Sequence, residues 1–100
     1  MDNFLTHEAL TENLNTRFHV YADDTTNIAD LELTEVSELK LFATQEQFAV
    51  VFRGPREPFL NQGMRSLDHE KLGRSELFLV PVRDDAEGYY YEAVFNRFRK

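Results

Sequence analysis

The chain has 100 residues, which suits one domain with a single core and leaves no room for a second. It contains no cysteine, which excludes a disulfide framework, a thiolate metal site and a thiol nucleophile. The net charge is −7 and unevenly spread: residues 1–52 carry two basic and ten acidic side chains (2 − 10 = −8), and residues 53–100 carry nine and eight (9 − 8 = +1).

An acidic first half repels nucleic acid, imitates it, or meets a basic partner; alternatively it is a solubilising surface whose asymmetry vanishes if the halves interleave in space. The start of the chain lacks the basic cluster and long apolar stretch of a signal peptide. The longest apolar run, Leu77 to Val82, is far too short to cross a bilayer. These features predict a soluble, cytoplasmic protein without membrane contact.

The first element is a short helix over 6–14. Thr6 is placed to cap it, Glu8 adds negative charge to the first turn, and Leu10 and Leu14 form a one-sided stripe, with Leu5 or Phe4 as a staple. Two turns are not stable alone in water, so this helix must dock on a sheet or plug a barrel. Strands follow. Residues 17–21 alternate Phe18 and Val20 with Arg17, His19 and Tyr21, and 23–27 is a polar turn. Residues 28–39 form the next strand, in which Val36 is out of phase with Leu31 and Leu33, so a bulge is expected near Thr34 and Glu35. Further strands are expected at 47–53, 63–69, 76–83 and 89–96. Pro81 cannot donate to a ladder and belongs at an edge or a bulge. The segment Asp84 to Gly88 reads as a hairpin turn in which Gly88 supplies a positive φ.

Six short strands joined by hairpin-length connections exclude a plan with crossover helices. The expected fold is all-β and mainly antiparallel: a small six-stranded barrel or rolled sheet with one N-terminal helix, a single domain over 1–100. The expected core is Leu77, Phe78, Leu79, Val80, Val94, Phe52, Val50, Phe48, Phe18 and Val20.

Catalytic patterns are thin. His7, His19 and His69 form no paired-ligand motif, and neighbours in Asp68-His69-Glu70 point to opposite faces of a strand. The acids at 84–88 lack calcium-loop spacing because Ala86 stands where an oxygen is needed. No serine has an oxyanion-hole setting, and there is no phosphate-binding glycine loop. No cofactor, metal or catalytic residue is assigned.

The stronger candidates are surfaces. Residues 53–63 form the longest irregular connection, stiffened by Pro55 and Pro58, with Phe59 and Leu60 at its tip. One reading makes it a preorganised binding loop in which Arg53 and Arg56 flank an apolar anchor of Phe59 and Leu60. The plainer reading folds Phe59 and Leu60 back over the barrel mouth. Tyr90 must point opposite to Tyr89 and Tyr91, toward solvent or a partner. The tail from Asn96 to Lys100 is a frayed end, or a weak grip for single-stranded nucleic acid.

The segments Phe52-Arg53-Gly54-Pro55, Leu72-Gly73, Leu77-Phe78-Leu79-Val80-Pro81-Val82 and Tyr91-Glu92-Ala93-Val94-Phe95-Asn96, after an opening Leu5-Thr6-His7-Glu8, resemble a family of small bacterial proteins of unknown function. Met64 departs from that pattern, where an aromatic is expected. The resemblance implies a small β domain in a bacterial or phage setting, with an accessory role in a surface or phage-like structure. It supplies no catalytic residues.

The expected function is therefore a non-enzymatic interaction or structural module that binds another protein through Arg53, Arg56, Phe59, Leu60 and Tyr90, without direct nucleic-acid binding. A homodimer through strand edges is an added option. The alternatives are an acidic nucleic-acid mimic that inhibits a basic protein, and a ligand-binding barrel that uses His69 with a carboxylate.

Overall fold

The computed structural model describes residues 5–98. Among the described residues one helix, α1 (His7–Glu12), precedes seven strands: β1 (Arg17–Tyr21), β2 (Asn27–Val36), β3 (Lys40–Leu41), β4 (Gln45–Gly54), β5 (Gly63–His69), β6 (Gly73–Asp85) and β7 (Gly88–Phe98). Six strands close a barrel in the order β1-β2-β4-β7-β6-β5, and every pair is antiparallel. The two-residue β3 continues the wall beyond β2 along the first half of β4, an extension the sequence pattern does not reveal. Asn96 to Phe98 belong to β7, paired with Gln47 to Gln45, and are not a frayed tail; Arg99, Lys100 and Phe4 lie outside the described residues.

Local chemistry sets the corners. Asp23 accepts from the backbone N–H of Thr25 and Thr26 at 2.9 and 2.8 Å, which closes the β1–β2 turn. Those bonds hold its carboxyl below the ordinary range. The register between β2 and β4 shifts between Leu33 and Glu35, the bulge that the phase change at Val36 requires. A second shift, between Pro81 and Arg83, accommodates the proline that cannot donate.

Helix α1 starts where Thr6 Oγ1 accepts from Ala9 N–H at 3.0 Å. It stops two residues earlier than the leucine spacing suggests. Asn15 takes a left-handed φ of 67°, and its N–H donates to Leu33 O at 2.7 Å, which docks the chain on β2. Leu5 and Leu10 enter the core together.

The barrel interior is filled by side chains, among them Tyr91, Phe18, Phe52, Leu31, Leu33 and Leu79. Phe78 and Val94, expected inside, are exposed, and Val80 is only half-buried. The cause is strand alternation: Leu77 and Leu79 take the inward positions of β6, and Tyr91, Ala93 and Phe95 those of β7.

Part of the acidic half is matched by arginines. Glu32 pairs with Arg53 at 2.8 Å, Glu35 with Arg83 at 2.7 Å and Glu46 with Arg97 at 4.0 Å, each a first-half acid against a second-half arginine. One glycine is indispensable. Gly88 has φ 152°, and a Cβ there would lie 1.9 Å from the carbonyl oxygen of Gly54. Gly88→Ala should therefore cost at least about 2 kcal/mol of folding free energy in urea denaturation; a variant as stable as the parent contradicts this packing.

Candidate functional site

The β6–β7 hairpin and the loop after β4 meet at one end of the barrel. Asp85 opposes Gly88 across the turn, and Asp85 Oδ1 accepts from Glu87 N–H at 2.8 Å. The Tyr90 hydroxyl donates to Asp85 Oδ2 at 2.9 Å. Donation from the Glu87 N–H, then from Tyr90, holds the Asp85 carboxyl below its usual range, and the same bond to Asp85 raises the Tyr90 phenol.

Arg53, near the end of β4, reaches both neighbours. Its Nη2 donates to Glu32 Oε1 and its Nη1 to Glu87 Oε1, each at 2.8 Å. The adjoining Tyr90 hydroxyl, more than the two carboxylates, raises the guanidinium above its ordinary value. Arg83 lies over the Tyr90 ring, 4.4 Å from its centroid, and binds Glu35.

The loop is tied down at both ends of its tip. Arg56 Nη1 donates to Asp85 O at 2.6 Å and Asp84 Oδ2 at 3.2 Å, and its guanidinium lies 4.9 Å from the Tyr89 centroid. The Phe59 ring meets Tyr89 edge-on at 4.7 Å and keeps its outer side in solvent. Leu60 donates its backbone N–H to the Tyr91 hydroxyl at 3.0 Å. Burial raises the Tyr91 phenol.

Four of the five residues singled out by sequence flank the hairpin from two sides: Arg53 and Tyr90 on one face of β7, Arg56 and Phe59 against Tyr89 on the other. Leu60 does not join them. It is 3% exposed and packs in the core, so it anchors the loop and offers nothing to a partner. Sequence reasoning missed Tyr89, Arg83, Asp85 and Glu87. The signal was the turn 84–88 beside three tyrosines, which reads only as a hairpin until Arg53 and Arg56 are placed against it.

The residues with catalytic potential form a separate depression of about 330 Å³, lined by Thr16, Arg17, His19, His69 and Lys71 among others. His69 Nδ1 accepts from the N–H groups of Lys71 and Leu72 at 3.0 and 3.2 Å. Its Nε2 therefore carries the proton and donates to Thr16 Oγ1 at 2.9 Å. With both nitrogens committed, His69 is no base for Thr16. His19 Nδ1 is bound to Asp30 at 2.8 Å. Among the described residues no group of histidines and carboxylates is placed to hold a metal ion, and no helix is long and apolar enough to cross a membrane.

The family described as Domain of unknown function (DUF6916) matches residues 5–95, nearly the whole chain. The chain belongs to that family. Membership agrees with the expectation of a family of unknown function and assigns no activity to any residue of the barrel. No curated protein and no solved structure matches the chain.

Two outcomes follow from this geometry. Tyr91→Phe leaves the buried Leu60 N–H without an acceptor and should cost about 1–2 kcal/mol in urea denaturation, while loosening the loop; an unchanged midpoint contradicts the anchor. Burial, outweighing the neighbouring Glu70 carboxylate, holds the His69 imidazolium pKa below the usual 6.5. The unfolded chain then binds more protons just below pH 6.5, so stability rises with pH across that window and falls as pH drops. The urea midpoint should decline from about pH 7.5 to 5, with a smaller slope in His69→Gln; an identical slope in the variant contradicts the assignment.

Proposed function

We propose that this domain is a non-enzymatic interaction module that binds another protein through the surface built from Arg53, Arg56, Phe59 and Tyr90. The observation that supports this reading is the convergence of these side chains on one hairpin, each held by its own bond or ring contact. Arginine and aromatic side chains in fixed positions lose little conformational entropy on binding, which is how interface hot spots gain their energy. Phe59 supplies the exposed apolar anchor with Arg56 beside it over Tyr89, and Arg53 and Tyr90 add a polar edge on the opposite face of β7. In a bacterial or phage-like assembly such a module serves as an accessory subunit that docks on a larger component.

The nucleic-acid mimic is less favoured, because Glu32, Glu35 and Glu46 are matched by arginines and do not form a stripe of free charge. The ligand-binding barrel is less favoured because the core occupies the interior and His69 has no free nitrogen.

The deciding experiment is affinity capture from the source organism's lysate with the parent and with Arg56→Ala/Phe59→Ala, both checked for unchanged melting. The parent should retain a stoichiometric protein at low and high salt, and the double variant should lose it. Equal retention by both sinks the reading. A partner retained only at low salt points to the acidic mimic.

A further inference from the structure

The ring of His69, the last residue of β5, closes the turn into β6 and also reaches the residue that precedes β1. Its Nδ1 accepts from the N–H groups of Lys71 and Leu72, and Gly73, with a left-handed φ of 79°, completes the turn as its register partner. Its Nε2–H donates to Thr16 Oγ1, 53 residues away in the chain. The Thr16 hydroxyl gives its own proton to Asn13 O at 2.7 Å, so toward the ring it can only accept. The Nε2–H tautomer is thus required from both sides.

A proton added to this ring has one place to go. At Nδ1 it turns an acceptor into a donor that faces two donors, so both bonds to the turn are lost, while the bond to Thr16 is kept. The other two histidines behave differently. His19 Nδ1 is bound to the Asp30 carboxylate and His7 Nε2 to the Ser37 carbonyl, and neither bond is lost when its ring gains a proton.

The surroundings of His69 hold charge of both signs. From β1 the Phe18 ring packs 4.5 Å away, and Arg17 and His19 line the same depression. The connection from α1 brings Asn13 and Thr16, which do not titrate, β5 brings Asp68, and the turn brings Glu70 and Lys71. Burial is the largest influence and disfavours the charged ring; Glu70 and Asp68 favour it, and Lys71 and His19 oppose it.

We propose that His69 is an acid-sensitive latch: protonation at Nδ1 releases turn 70–72 while the barrel stays closed. Release stops at the end of β5, because the β5–β6 ladder holds seven register pairs and Leu67 and Leu77 lie in the core. Burial of a histidine alone makes the whole fold acid-sensitive; these bonds place the first opening in one turn. The released turn frees the Lys71 and Leu72 N–H groups and the side chain of Leu72, which in the closed state packs against the core. This end of β5 is the one remote from the loop after β4, so the latch acts apart from the surface at Phe59.

Nuclear magnetic resonance of the parent protein between pH 7.5 and 5 tests this. Imidazole nitrogen spectra should show His69 as the Nε2–H tautomer at pH 7.5. If the released ring has the ordinary pKa of about 6.5, the opening constant rises by at most about 30-fold over that range. Hydrogen-exchange protection at Lys71 and Leu72, corrected for the intrinsic pH dependence of exchange, should fall by about 5- to 30-fold. Low urea should leave their exchange unchanged, whereas the core amides of Val50 and Ala93 should follow the urea dependence of global unfolding. In His69→Gln, whose side-chain carbonyl gains no proton, protection at the two turn amides should not vary with pH. An Nδ1–H tautomer overturns the latch, as does protection that is flat with pH in the parent. Exchange of Lys71 and Leu72 with the urea dependence of Val50 also overturns it, as does an undiminished fall in the glutamine variant.

Discussion

The candidate site depends on a backbone contact between Gly54 and Gly88 that leaves no space for a side chain. At Gly54 the chain leaves β4 for the long loop, and at Gly88 it enters β7 from the hairpin. Because the two backbones touch, Arg53 falls within reach of Glu87, and Arg56 within reach of Asp84 and Asp85. Tyr89 and Tyr91 then lie under Phe59. Moving these backbones apart by the width of one methyl group would dissolve the cluster without altering any residue in it.

The charge distribution follows from the same closure. In the linear sequence the first half holds ten acids and a single arginine, but β4 stands between β2 on one side and β7 on the other. Glu32 and Arg53 are register partners, and Arg53 is the partner of Tyr90 on its other side. The outer wall therefore carries paired charge at Glu32, Glu35 and Glu46. Exposed pairs of this kind add little stability each. Their value is in fixing the orientation of long side chains before anything binds.

Much of the fold was legible because alternation and turn chemistry are local signals. The limits of β1 and β5, the bulge after Leu33 and the turn at Asp84–Gly88 all follow from side-chain period and from residues suited to corners. What was not legible is which of two adjacent apolar residues faces inward. Phe78 beside Leu79 and Val94 beside Ala93 are ambiguous until the strands are paired, and in both cases the larger or branched residue faces out. The site was half legible for the same reason. A loop with two arginines and an apolar tip, and the reading in which that tip folds back, are visible in the sequence, whereas the hydroxyl 31 residues away that holds the Leu60 N–H is not. His69, a histidine between two acids in the sequence, uses its ring to close a turn, a role that depends on backbone N–H groups the sequence does not place.

The account holds that the loop after β4 is a rigid platform and not a flexible tether, since a preorganised surface is what makes a small barrel an effective binder. Native-state hydrogen exchange followed residue by residue tests this most directly, at the amide of Leu60. If the amide is held by the Tyr91 hydroxyl and shielded by the core, it should exchange as slowly as the amides of β4 and β7. Exchange at the rate of an open loop would show that the platform does not exist in solution and would contradict the account at its centre.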